Sequence, residues 1–99
     1  DGEIFELKRL KTAFMNQTVK VGGIISSIKK IITKNGQPML FVKLEDLGSK
    51  AEIVVFPSVM EKYSTTFAEN KVVLINGKVD HRNNEPKVIA EDVEEIIQS

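Results

Sequence analysis

The chain has no cysteine and no tryptophan, and only one histidine and one tyrosine among its 99 residues. Without cysteine, disulfides and thiolate metal sites are excluded, and the redox compartment is left open. The single histidine, His81, cannot build a zinc site alone. No apolar run approaches the ~18 residues needed to span a bilayer, and no signal-peptide pattern opens the residues read here. Lys plus Arg and Asp plus Glu each total 14, for a formal net charge of zero, which argues against strong, unselective binding to a polyanion. Reactive constellations are missing as well. Gly22-Gly23 lacks the flanking spacing and the lysine of a phosphate loop. Ser26 and Ser27 have no histidine close by in sequence to act as a base. Glu45 and Asp46 are adjacent carboxylates, but neighbouring strand residues point to opposite faces, so Asp46 reads as a turn former. The expectation is a chain with no catalytic residue, no metal and no cofactor.

What is present is ordinary for a soluble domain: 41% hydrophobic and 28% charged residues. One domain of this length buries somewhat over ~60% of its unfolded surface, enough for one modest core. The sequence opens at Asp1 and is read as an excised piece of a longer, cytoplasmic protein. Charge is unevenly placed. From Ser26 to Leu44 there are Lys29, Lys30, Lys34 and Lys43 with no acid, whereas Glu91, Asp92, Glu94 and Glu95 form an acidic block. Either run is a solvated face or part of a binding surface.

Periodicity divides the chain at residue 17. Ile4, Leu7, Leu10 and Phe14 recur every three or four residues, which predicts a helix over Glu3–Met15. Residues 1–17 are thus read as an N-terminal helix or linker and 18–99 as the folded domain. From Thr18 the period is two, through a long strand whose Gly22-Gly23 pair predicts a bend or bulge. Asn35-Gly36 is a hairpin signal, and Pro38 opens a second strand with Leu40, Val42 and Leu44 on one face. A third strand is expected over Lys50–Phe56, a helix over Ser58–Phe67 after Pro57, a fourth strand over Lys71–Val79 with a bend at Gly77, and a fifth over Lys87–Ile97. Three strands, a helix and two strands is the element order of an OB-fold: all-β, a five-stranded Greek-key barrel with a helix between strands three and four.

On such a barrel the second strand carries the most informative pair. Phe41 and Lys43 share the face opposite Leu40, Val42 and Leu44, placing a flat ring for a base beside a cation for a phosphate. Phe41 reads equally well as a buried ring; Phe56 shares the ambiguity and leans to the core. The turns between strands one and two and between four and five carry Lys34, Asn35, Gln37, His81, Arg82, Asn83 and Asn84, donors suited to phosphates and base edges. Lys30 and Lys87 lie at the feet of these turns and complete the candidate set.

The stretch Thr33–Leu47 (TKNGQPMLFVKLEDL), with Ala51–Pro57 (AEIVVFP), Val72–Asp80 (VVLINGKVD) and Glu85–Glu91 (EPKVIAE), resembles the OB domain of the bacterial DNA polymerase III alpha subunit, over about residues 18–95. More loosely it is similar to the anticodon-binding OB domains of class II aminoacyl-tRNA synthetases. There a motif Phe-x-x-Leu-x-Asp, matched by Phe41, Leu44 and Asp46, presents a stacking phenylalanine, and Glu52 stands where a third-strand polar residue reads a base. The turn differs from the polymerase pattern in having Gly48 and then Ser49, and Ala51 replaces a larger branched residue. The resemblance implies a non-catalytic, single-stranded DNA-binding module, monomeric when isolated and away from membranes. Its parent would be a DNA-directed DNA polymerase, a nucleotidyltransferase of DNA replication, whose other domains and subunits would be partners. A protein-docking OB module and a tRNA anticodon binder are the alternatives.

Overall fold

The computed structural model, which describes residues 3–82 and 85–96, rolls five strands into a closed barrel. A short 3-10 helix, Leu7–Thr12, precedes β1 (Thr18–Ile32), β2 (Pro38–Glu45) and β3 (Lys50–Val55); α1 (Pro57–Lys62) follows, then β4 (Val72–Asp80) and β5 (Lys87–Glu95). The strand order around the barrel is β1-β2-β3-β5-β4. Every neighbouring pair is antiparallel except β3 and β5, which close the barrel through the parallel partners Glu52↔Lys87, Ile53↔Val88 and Val54↔Ile89. The element order and architecture are those of the OB-fold.

β1 reaches both sides of the barrel because it changes partner midway. Thr18–Ile24 pairs with β4, and Ile24–Ile32 pairs with β2. At the crossover a Cβ on Gly23 would stand 2.3 Å from the backbone oxygen of Glu45, so only glycine lets the chains meet. The register then slips between Ile25 and Ser27, leaving Ser26 as the extra residue, its hydroxyl donating to the Lys43 carbonyl at 3.3 Å. The bulge inverts the alternation of faces. Val19, Val21 and Ile25 point inward before it, Ile28 after it, which leaves Ser27, Lys29 and Ile31 on the outside. Inward residues of all five strands, among them Val21, Leu44, Ile53, Ile75 and Val88, form one core.

Both helices are shorter than their sequence patterns predict. The N-terminal helix expected over Glu3–Met15 is confined to Leu7–Thr12 and is of the 3-10 type. Three residues per turn align Leu7, Leu10 and Ala13, all buried in the barrel core, while Ile4 and Phe14 are 58% and 79% exposed. Ile4 instead bridges Lys20 in parallel, with the Phe5 N–H donating to the Lys20 carbonyl at 2.6 Å. α1 ends at Lys62 instead of Phe67, because Ser64, Thr65 and Thr66 are poor helix formers and the chain turns there to bury Phe67.

The acidic block belongs to the barrel wall. Glu91 faces Lys78 at 3.8 Å and Asp92 accepts from Asn76 Nδ2 at 2.7 Å across the β4–β5 pair, and Glu95 faces Lys71, just before β4, at 3.2 Å. Among the described residues no helix is long and apolar enough to cross a membrane.

Candidate nucleic-acid interface

Strand alternation puts Phe41 and Lys43 on the outside of the barrel, with Leu40, Val42 and Leu44 buried beneath. Pairing extends each outward residue into a row across four strands. Lys29, Phe41, Val54 and Ile89 are successive partners, and Ser27, Lys43, Glu52 and Lys87 form the next row. The opposed pair Glu45 and Lys50 lies one row further on.

Lys29 and Phe41 of the first row, all four residues of the second and Lys50 of the third line a groove of about 830 Å³. The 3-10 helix walls it with Lys8 and Lys11, held against the barrel by Leu7 and Leu10. The Leu7 N–H, the first free donor of that helix, points at Asp46 Oδ2 3.4 Å away, so the turn after β2 helps seat the wall. Ser49 and Lys50 border the groove on the β2–β3 side, and Glu85 and Pro86 where the chain enters β5.

Positive charge predominates in the groove. Lys8, Lys11, Lys29, Lys43, Lys50 and Lys87 line it against two acids, Glu52 and Glu85. Lys87 is 3.9 Å from Glu52 and Lys8 is 3.8 Å from Glu6. Among the described residues the other four lysines have no carboxylate partner. A chain of zero net charge therefore presents a lysine-rich trough beside a half-buried aromatic ring, while Glu91, Asp92 and Glu95 are paired on the β4–β5 wall.

Of the sequence-derived candidates, Phe41, Lys43, Glu52 and Lys87 come together in this groove. Lys34, Asn35 and Gln37 lie exposed at the β1–β2 turn, beyond its end. Lys30 is the partner of Leu40, so the Ser26 bulge turns it to the face opposite Phe41 and brings Lys29 there instead. The His81 Nε2–H donates to the Ala13 carbonyl, tying the β4 end to the N-terminal segment. Asn83 and Asn84 lie outside the described residues. Phe56, which leaned to the core on sequence, is 45% exposed. Lys8, Lys11 and Lys50 escaped the sequence reading, and Lys29 was noted only as one of the acid-free lysine run. Lys50 also carried a signal, since it shares its strand face with Glu52; the placing of the others depends on the bulge and on docking of the 3-10 helix.

Arg82, 76% exposed at its side chain, pairs with Asp80. Its Nε lies 3.1 Å and its Nη2 2.8 Å from the two carboxylate oxygens of Asp80, and its backbone N–H donates to Oδ1 at 2.9 Å. The Arg82 side-chain bonds, then its backbone bond, lower the Asp80 pKa from 3.8 to about 2. A depressed folded-state pKa adds stability above the unfolded value and loses it as pH falls through the folded one. Wild type is therefore expected to exceed Asp80→Asn in stability above about pH 4. The difference should fade between pH 4 and 2, as read by urea unfolding at stepped pH; a constant difference would remove the ion pair as its source.

The sequence pattern of a family described as "OB-fold nucleic acid binding domain" matches residues 19–96. The chain is 37% identical over 75 residues to DNA polymerase III subunit alpha of Mycobacterium tuberculosis, a match covering 76% of this chain and 6% of that protein. Against DNA polymerase III subunit alpha of Staphylococcus aureus it is 32% identical over 88 residues, covering 89% of this chain and 8% of the relative. It thus spans less than a tenth of the length of these relatives. Among solved structures, asparaginyl-tRNA synthetase from Pyrococcus horikoshii superposes with a TM-score of 0.73 at 16% identity, covering 98% of this chain and 24% of that one. The mitochondrial single-stranded DNA binding protein Rim1 from Saccharomyces cerevisiae gives 0.67 at 12% identity, covering 87% and 100%. At these identities the structural likeness is one of fold.

Proposed function

The chain belongs to the family of OB-fold nucleic-acid-binding domains, and on that premise we propose that its lysine-lined groove binds single-stranded DNA as a non-catalytic module of a replicative DNA polymerase III alpha subunit. The observation that carries this reading is Phe41, half-buried on the outer face of the barrel with Lys29 opposite it on β1 and Lys43 and Lys87 in the next row. A base laid on its ring leaves the adjoining phosphates within the field of Lys29 on the neighbouring strand and Lys43 two residues on. Glu52, beside Lys43 in the next row, is an acceptor for an exocyclic amino group of a base. The polymerase assignment draws on the identity to the alpha-subunit relatives, of which this chain matches only a small part.

One stacked ring contributes about 1–3 kcal/mol, and the lysines add a salt-sensitive share. A total of about 4–7 kcal/mol corresponds to a Kd of roughly 10 μM to 1 mM. The module alone is thus a weak binder, and tethering in its parent raises the local concentration of the strand. In that setting it holds the template near a catalytic centre located on other domains.

The test is a titration of the labelled chain with oligothymidine at low salt, followed through backbone amide shifts. Shifts are expected at Ser27–Lys29, Phe41–Lys43 and Lys50–Glu52, with an affinity that falls as salt rises. If the four unpaired lysines each neutralise one phosphate, log K against log salt has a slope of about −3. No shifts at millimolar oligonucleotide would overturn the reading in favour of a protein-docking module, and a preference for tRNA over oligothymidine would redirect it to an anticodon binder.

A further inference from the structure

We infer that Phe56 is a second base-stacking position, so that the outer face of β2 and β3 holds two neighbouring bases instead of one; this rests on the nucleic-acid reading of the groove. Phe56 lies two residues beyond Val54, the cross-strand partner of Phe41, with extended backbone angles that continue the alternation of β3. It therefore shares the face of Phe41, and it is 45% exposed, with no part in the barrel core. The β2–β3 register ends with Leu40 opposite Val55, and its extension by one residue would set Met39 opposite Phe56, as Phe41 is opposite Val54. The four make a checkerboard with the two rings on one diagonal, a separation of ~7–8 Å between residues that aromatic side chains readily bridge.

The packing of the other diagonal supports the assignment. Met39 and Val54 are only 8% and 6% exposed although they face outward and lie outside the core cluster. On that face Phe56, at 45% exposed, and Phe41, half-buried, are the more accessible members of the four. The lysines cease at this end. Lys29 is the last cation beside the rings, and the next outward position of β1 is Ile31, the partner of Met39. An apolar, aromatic platform continuing a cationic groove fits the unpaired bases of a single strand, whose flat faces carry no charge while the backbone keeps to the lysine side.

The test uses the 99-residue chain, Phe56→Ala, Phe56→Leu and Phe41→Ala against oligothymidines of increasing length. Wild-type affinity should rise with length to a plateau. Phe56→Ala should reach its plateau earlier and about five-fold to a hundred-fold lower, with unchanged binding of the shortest oligomers that reach Phe41. Phe56→Leu preserves the apolar cover of Met39 without a ring; it should show the same early plateau, and it carries the test should the alanine variant fail to fold. Wild-type behaviour of both Phe56 variants, beside weakened Phe41→Ala, would overturn the second position and leave the groove reading intact. Failure of the wild-type chain to bind any length would overturn both.

Discussion

Replacing Gly77 with alanine is expected to remove about 3 kcal/mol or more of stability, a large part of what a domain of this size possesses. A Cβ there would stand 2.2 Å from the Ile89 backbone oxygen and 2.7 Å from Val88 Cγ1. The first contact is with backbone, so no side-chain rotation relieves it and β4 must part from β5. Gly77 is also the partner of Val19 on β1, which places the clash between two ladders in the middle of the barrel. The register slips here: Asn76 opposes Asp92 and Gly77 opposes Ala90, leaving Glu91 as the extra residue of β5. That slip sets the phase with which Lys87 and Ile89 meet β3, so the damage reaches the groove. Gly36→Ala is the control. Nothing lies within 4 Å of a Cβ at Gly36, and only its φ of +80° opposes the change, at about 1–2 kcal/mol. Urea unfolding of the two variants separates the cases; a wild-type midpoint for Gly77→Ala would mean that β4 and β5 do not approach as closely as described.

What could be read from the sequence and what could not divides along the range of the forces involved. The β1–β2 hairpin, the inward face of β2 and the outward position of Phe41 follow from local rules: Asn35-Gly36 at a tight turn, Pro38 at a strand start, and alternation over Leu40, Val42 and Leu44. Lys30 and Lys29 exchange faces because one extra residue at Ser26 inverts the alternation, and nothing local to Ser26 announces it. The glycine pair marked the region, yet Gly23 serves the partner change of β1 and the bulge falls beyond it. The spacing of Leu7 and Leu10 fits three residues per turn as well as 3.6; burial of Ala13 and exposure of Phe14 decide the matter, and both come from docking on the barrel. The lysine wall of the groove could not be read for the same reason. Lys8 and Lys11 reach it only when Leu7 and Leu10 enter the core, and Lys87 meets Glu52 only when β3 and β5 close the barrel in parallel.

Phe41→Ala is expected to weaken oligothymidine binding by about five-fold to a hundred-fold, the loss of one stacked base, while the barrel stays folded. The ring sits outside the core cluster, opposite Val54 on the outer face, so truncation opens no cavity among the inward residues. The neighbouring cation provides the contrast. Lys43→Ala removes one phosphate contact, so it should lower affinity for every base sequence alike and flatten the salt dependence by about 0.7 in slope. Phe41→Ala should leave that slope unchanged, because a ring on a base face releases no counterions. Paired salt titrations therefore assign the two contributions separately: a shallower slope in Phe41→Ala would mean that the ring acts by positioning Lys29 or Lys43, and loss of dispersed amide signals would mean that its packing supports the barrel.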